Sequence, residues 1–165
     1  MTAARAKVSI RVEDRDFIRV GRSRIEGKGV FAKRKIHEGA RIIEYVGAHL
    51  PIDTLFIARV EGRPASVYAF RLNETTIIDG SVGGNDSRFI NHCCAPNCET
   101  YCFDDHMYVY AKREIVRGEE LTFDYRLGAP GGRRPTKKDL AAYPCRCGAA
   151  SCRGTMIAPP KRRSR

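Results

Sequence analysis

The fold is decided in the stretch Arg88-Phe-Ile-Asn91-His92-Cys-Cys94-Ala-Pro96-Asn97. An apolar pair leads into a run of polar and thiol side chains. Pro96 then fixes the turn, so Asn91 and His92 are held at defined angles. Further along comes Glu119-Glu120-Leu-Thr-Phe123-Asp124-Tyr125, and upstream stand Glu26-Gly27-Lys28-Gly29-Val30-Phe31 and Ile43-Glu44-Tyr45-Val46-Gly47. A cysteine knuckle, Cys145-Arg146-Cys147-Gly-Ala-Ala-Ser-Cys152, lies near the end.

Around these motifs the chain has 165 residues, 42% of them hydrophobic, which suits one domain with a core and excludes wholesale disorder. No apolar run is long enough to span a membrane. The start, MTAARAKVSI, has no apolar signal core, so a secretory leader is not expected. Seven cysteines in such a chain favour reduced thiols and a metal site over a disulfide framework. The net charge of +11 is local: residues 1–125 hold 19 basic and 18 acidic side chains, whereas 126–165 hold 11 basic ones and only Asp139. Arg133, Arg134, Lys137 and Lys138 form one basic cluster, and Lys161, Arg162, Arg163 and Arg165 another. Such a tail either contacts nucleic acid or is a solvated end.

The first 125 residues predict mostly short strands: Val8–Val12, Ile18–Val20, Gly29–Ala32, Ile42–Val46, Val67–Leu72, Thr75–Asp79, Tyr101–Phe103, Met107–Ala111 and Leu121–Tyr125. Ile52–Val60 and Ser87–Asn91 read as helical, and Thr136–Tyr143 as a short helix capped by Thr136. Many short strands imply a mostly β fold of several small sheets with few short helices. Tyr101, Tyr108 and Tyr110 read as core residues, and His37, His49 and His106 as surface ones.

The knuckle offers three thiols within eight residues, one short of the four that a tetrahedral zinc takes. Gly148 permits the sharp turn a knuckle needs. The fourth ligand comes from the other cysteine-rich stretch, with Cys94 and Cys98 as the choices. Cys93 and Cys102 read as reduced structural cysteines.

Taken in this order, the motifs resemble the SET-domain protein lysine methyltransferases, and the knuckle is similar to their post-SET segment. The resemblance covers about residues 17–156. It implies a β-clip-like SET fold around a knot-like crossing, in which one segment threads beneath another. The implied division is an N-terminal extension at 1–16, the SET domain at 17–127, a linker at 128–143, a post-SET zinc segment at 144–156 and a basic tail at 157–165. S-adenosyl-L-methionine would be held by Glu26, Lys28, Gly29, Val30 and Phe31, largely through backbone groups, with Tyr68, Asn91, His92 and Arg146. Zinc (Zn2+) would sit on Cys94, Cys145, Cys147 and Cys152. Cys93 stands where serine is usual, and the cysteine-rich segment that precedes many relatives is not seen ahead of Val20.

Methyl transfer to lysine needs a neutral amine, which for free lysine at pH 7 costs roughly 4.6 kcal/mol of the barrier. A narrow apolar channel favours the neutral form, and Tyr45, Tyr68, Phe123 and Tyr125 are the candidate walls. The resemblance makes Tyr125 the catalytic tyrosine, with Tyr45 and Phe123 beside it. With phenylalanine at position 123, the resemblance implies di- or trimethylation. Asp124 points away from Tyr125 on a strand and reads as structural.

The implied partner is a lysine-bearing protein such as a histone tail, met by a monomer with nucleic acid possible at the basic tail. The implied location is the nucleus or chromosome in a eukaryote, or the cytoplasm or a secreted effector in a bacterium. An alternative is a catalytically inactive SET-like module that binds chromatin or nucleic acid. The intact glycine and tyrosine motifs weigh against it.

Overall fold

The computed structural model describes residues 17–54, 66–129 and 133–159. The strand expected at Val8–Val12, the helix from Leu55 to Val60 and the basic cluster from Lys161 lie outside the described residues.

Among the described residues, ten short strands form three small sheets. The first takes β1 (Ile18–Arg22), β2 (Lys28–Ala32), β10 (Glu120–Phe123) and β7 (Asn91–His92) in the order β1-β2-β10-β7. The second orders β3 (Arg41–Tyr45), β9 (His106–Ala111) and β8 (Cys98–Phe103) as β3-β9-β8. The third orders β4 (Ala48–Pro51), β6 (Thr76–Asp79) and β5 (Ala69–Arg71) as β4-β6-β5. A single α-helix, α1 (Lys137–Ala142), follows among the described residues, with Thr136 and Asp139 closing a capping box at its start. The architecture is mostly β, as the strand pattern predicts.

Period-two burial explains why these segments are strands. In β9, Met107, Val109 and Ala111 point inward while His106, Tyr108 and Tyr110 alternate outward. The β8–β9 turn places Asp104 and Asp105 at φ 50° and 58°, the two left-handed positions of a tight hairpin. The main core joins Val30, Ile36, Ile42, Ile90, Val109, Ile115 and Leu121, each at most 1% exposed. Each such aliphatic side chain stabilises the fold by about 1.5–3 kcal/mol on burial.

Some sequence expectations change, and one strand goes unread. Ser87–Asn91 is not one helix: a 3-10 turn spans Asp86–Phe89, capped by Asn85, and Asn91 belongs to β7. Ile90 is extended, so the chain leaves the turn to pair in parallel with β10, Asn91 opposite Thr122 and His92 opposite Phe123. β4 goes unread in the sequence, because four residues ending in proline carry little strand signal until β6 pairs with them. β8 begins at Cys98, three residues before the expected start. Tyr101 is 54% exposed, not core, because it lies on the edge strand β8 with its ring edge-on to Tyr110 at 5.6 Å, and Tyr108 and Tyr110, also expected in the core, are only half-buried.

Candidate active site and metal centre

The β1–β2 connection is built from local bonds. Ser23 N donates to Gly27 O at 3.0 Å, Ile25 N donates to Ser23 Oγ at 2.9 Å, and Gly27 takes φ 45°. Asn91 braces this loop from the neighbouring β7. Its Nδ2 lies 3.1 Å from Glu26 O, 2.9 Å from Lys28 O and 2.9 Å from Glu120 Oε1. Glu120 Oε1 also accepts from Ser23 Oγ at 2.7 Å. A Cβ at Gly29 would overlap that carboxylate, so only glycine admits Glu120 there. Val30 is fully buried between β1 and β10, and Phe31 lies beneath the Arg19 guanidinium. The open part of the motif is therefore Glu26 to Lys28. Across it, Arg146 Nη1 reaches Glu26 Oε2 at 3.1 Å, both side chains about 70% exposed.

Next to this loop runs a row of rings. Tyr45 and Phe70 stand 5.0 Å apart, Phe70 and Phe123 5.6 Å, Phe123 and Tyr125 5.2 Å, and Tyr125 and His92 5.3 Å. Tyr45 donates its hydroxyl to Tyr68 O at 2.7 Å, and Tyr125 donates to Ile90 O at 2.9 Å. Burial, with Tyr68 and Glu120 nearby, pushes the Tyr125 phenol up to about 12. Burial and then the Tyr125 and Asp79 neighbours raise Tyr45 still further. Both remain protonated at neutral pH. Tyr68 packs edge-on against Phe89 at 5.8 Å, and Phe70 is the ring that links the row.

Arg88 stands beside Tyr68, 5.9 Å from its ring centre, and donates to Gly80 O at 3.1 Å. Its buried Nε has no hydrogen-bond partner among the described residues. A donor left open at such a place suits a polar ligand.

His92 joins the row to the thiols. It is 3% exposed, and burial holds its imidazole below the ordinary value, with Asp124 partly offsetting this. Its Nδ1 accepts the Tyr125 amide at 3.1 Å, which leaves the ring proton on Nε2, 3.4 Å from Cys94 Sγ.

The Sγ atoms of Cys94, Cys145, Cys147 and Cys152 all lie within 4.8 Å of one another. Cys94 is 3.7 Å from Cys145 and 4.0 Å from Cys152. Four sulfurs at about 2.3 Å around a tetrahedral ion would stand roughly 3.8 Å apart, so a soft-donor set of this spacing fits zinc. Backbone amides support the set: Cys94 N donates to Cys147 Sγ, Cys147 N to Cys145 Sγ and Gly154 N to Cys152 Sγ. Of the two choices open in the sequence, the cluster takes Cys94. Cys98 is 1% exposed with its thiol against Asn97 Oδ1, and burial pushes it up to about 12.

Four residues gain parts that the motifs did not assign. Phe70 completes the ring row; its signal was the alternation through Val67–Leu72. Glu120 anchors Asn91. Asn97, buried, donates to Glu120 O at 2.8 Å and accepts from Thr122 N at 2.9 Å, locking β10 in place. Arg153 clamps Asp124, which lies just past the end of β10 and not on the strand as expected.

A SET domain profile matches residues 27–126, and the chain belongs to the SET domain family. Among similar proteins, histone-lysine N-methyltransferase trr of Drosophila melanogaster is 35% identical over 150 residues, covering 87% of this chain and 6% of that protein. Histone-lysine N-methyltransferase 2B of Homo sapiens is 36% identical over 147 residues, 84% of this chain and 5% of that one. Histone-lysine N-methyltransferase TRX1 of Oryza sativa subsp. japonica is 37% identical over 144 residues, with coverage of 82% and 13%. The chain thus spans a small fraction of the length of these relatives.

Proposed function

We propose that this chain is an S-adenosylmethionine-dependent protein-lysine N-methyltransferase acting on a histone or histone-like tail. The observation that carries the reading is the ring row from Tyr45 through Phe70 and Phe123 to Tyr125, in a chain more than a third identical to proteins named histone-lysine N-methyltransferases. S-adenosylmethionine, when bound, supplies a methyl group on a positively charged sulfur. Glu26 to Lys28, Gly29, Tyr68, Asn91, His92 and Arg146 are the residues that would hold it, with Val30 and Phe31 setting the strand behind them. The glycine-rich turn, the exposed Glu26–Arg146 pair and the open donor on Arg88 support that assignment.

The chain's own contribution is to dry and orient the incoming amine. The rings exclude water, which favours the neutral amine over the ammonium. Tyr125 keeps its proton, so its hydroxyl stays a neutral dipole fixed by Ile90 O, with lone pairs free to align the amine. Cys94, Cys145, Cys147 and Cys152 would hold zinc and so fix the 145–152 segment beside Glu26. The division is then a SET domain over 17–127, a linker to 143, a post-SET segment over 144–156 and a basic tail. A monomer working in the nucleus or on the chromosome of a eukaryote suits a histone substrate, with the tail contacting nucleic acid.

The test is transfer of a labelled methyl group to histones, nucleosomes and ribosomal proteins by the purified chain. Tyr125→Phe should lower the rate roughly 100-fold or more while the circular dichroism stays unchanged. No transfer to any of these, or full activity in Tyr125→Phe, would end the reading.

A further inference from the structure

Away from the rings and the thiols, the described residues concentrate positive charge on one face. Segments 32–36 and 112–119 run side by side, with Ile36 and Ile115 exchanging both backbone bonds at 2.9 Å and Gly118 N donating to Ala32 O at 2.8 Å. A cleft of about 270 Å³ opens between them and β1, lined by Arg19, Ala32, Lys33, Arg117 and Gly118. Arg34 extends the face, its guanidinium 4.3 Å from the centre of the Phe17 ring, and Arg19 lies 5.0 Å from that of Phe31.

The acidic side chains of the two segments do not cancel this charge. Glu114 is taken by Lys35 at 2.7 Å, and Glu119 by Arg113 at 2.5 Å. Arg19, Arg34 and Arg117 are exposed and form no ion pair among the described residues. Two of them rest on aromatic platforms, which hold their planar forks ready and lower the entropy lost when they bind.

We propose that this face binds the phosphate backbone of duplex DNA. Arg19, Arg34 and Arg117 come from three separate places, β1, the turn after β2 and the turn before β10, which suits a partner with many charges, one per roughly 1.7 Å of its axis. Contacts made to phosphate oxygens carry no sequence information, so the proposed contact is sequence-independent. The face lies at the Ala32 end of β2, whereas the Glu26–Lys28 loop lies at the other, one short strand or roughly 13 Å away. A duplex seated there would run beside the candidate active site, as a protein substrate wrapped in DNA requires. This surface is separate from the basic cluster of Lys161 to Arg165, and its binding does not depend on methyl transfer.

The experiment titrates a labelled mixed-sequence duplex DNA with the full chain at several salt concentrations, read by fluorescence anisotropy. The double variant Arg19→Ala/Arg117→Ala should flatten the slope of log affinity against log salt by about 2, and weaken unrelated sequences by the same factor. The difference should persist in a chain lacking Lys161–Arg165. Should the double variant lose its fold, Arg34→Ala alone should flatten the slope by about 1. Methyl transfer to a free histone peptide should be unchanged, which separates failure here from failure of the proposed activity. Unchanged affinity and slope in the folded variants, or a loss seen only with a phosphopeptide probe, would overturn the proposal.

Discussion

Arg153 grips both carboxylate oxygens of Asp124, Nη1 to Oδ2 at 2.9 Å and Nη2 to Oδ1 at 2.6 Å. Asp124 precedes Tyr125, and Arg153 follows Cys152, so one bidentate pair ties the ring row to the thiol knuckle. Each side chain is only about a fifth exposed, which spares the pair most solvent screening. Although burial alone would raise it, the Arg153 bonds hold the Asp124 carboxyl below the usual carboxylate range. Arg153→Met should therefore destabilise the fold by roughly 1.5–3 kcal/mol, since a charged acceptor loses its donors. Chemical denaturation of the two proteins checks this; equal midpoints would show the clamp to be idle.

Metal removal should act on the same junction. With the cluster thiols bridging residue 94 and residues 145–152, loss of a bound ion would release a stretch in which no residue of 145–152 is buried. A chelator, or Cys145→Ser, should abolish stoichiometric zinc and increase proteolysis of the segment. Cys102→Ser, an exposed thiol outside the cluster, should keep its zinc. Elemental analysis of the purified proteins distinguishes these outcomes, and zinc retained in Cys145→Ser would refute the ligand set.

Gly29→Ala probes the brace under the β1–β2 loop. The added methyl would meet the Glu120 carboxylate, the group that anchors Asn91 and Ser23. Glu120 must then move and Asn91 loses one of its acceptors. Overpacking of this kind costs typically 1–3 kcal/mol, and the loop should lose its hold on S-adenosylmethionine more than the core loses stability. Calorimetric titration should show at least tenfold weaker binding with thermal unfolding only modestly shifted. Unchanged binding would detach the loop from the cofactor.

What the sequence disclosed follows from how local each signal is. The strand Met107–Ala111 and the Thr136 cap are written in neighbouring residues, and both are found where they were expected, although Tyr108 and Tyr110, read as core, alternate outward. The string from Arg88 to Asn97 marked the site, but not that Asn91 would leave a helical turn for a parallel pairing with Thr122, a partner 31 positions on. Parallel neighbours leave no mark in either strand alone. The Asp124–Arg153 clamp was hidden likewise, since an arginine in a knuckle looks like any solvated charge until the fold brings a carboxylate to it. Phe70 lay within the expected strand Val67–Leu72, but only its contact with Phe123 makes it part of the ring row. The exposure of Tyr101 depends on which strand lies at a sheet edge, a property of topology and not of residue type.

The pH dependence of transfer follows from the buried phenol. Tyr125, pushed up to about 12, stays protonated across the whole working range, so its ionisation removes no activity there. The amine must lose a proton to react, and kcat/KM reports free substrate, whose lysine titrates near pH 10.4. The sign is thus a rise in kcat/KM with pH up to about 10.4, with no falling limb from Tyr125 below that value. Initial rates on a peptide over this range test it; a downturn that vanishes in Tyr125→Phe would show that the phenol titrates much lower.

Phe123 should govern how many methyl groups the product carries. Its ring is 4% exposed, with Phe70 centred 5.6 Å away and Tyr125 5.2 Å away, so a hydroxyl added to it would be held among the rings of the row. A phenylalanine there offers no hydrogen bond, and a methylated amine can turn its new group toward the ring without displacing a held water. A tyrosine hydroxyl would fix such a water, and evicting it to make room for a further methyl would leave buried polar groups unpaired. Phe123→Tyr should shift the end product from di- or trimethyl-lysine toward the monomethyl form while the first transfer continues at a comparable rate. Mass spectrometry of a histone peptide taken to completion reads the distribution directly, and an identical product profile in the variant would remove Phe123 from the lysine channel.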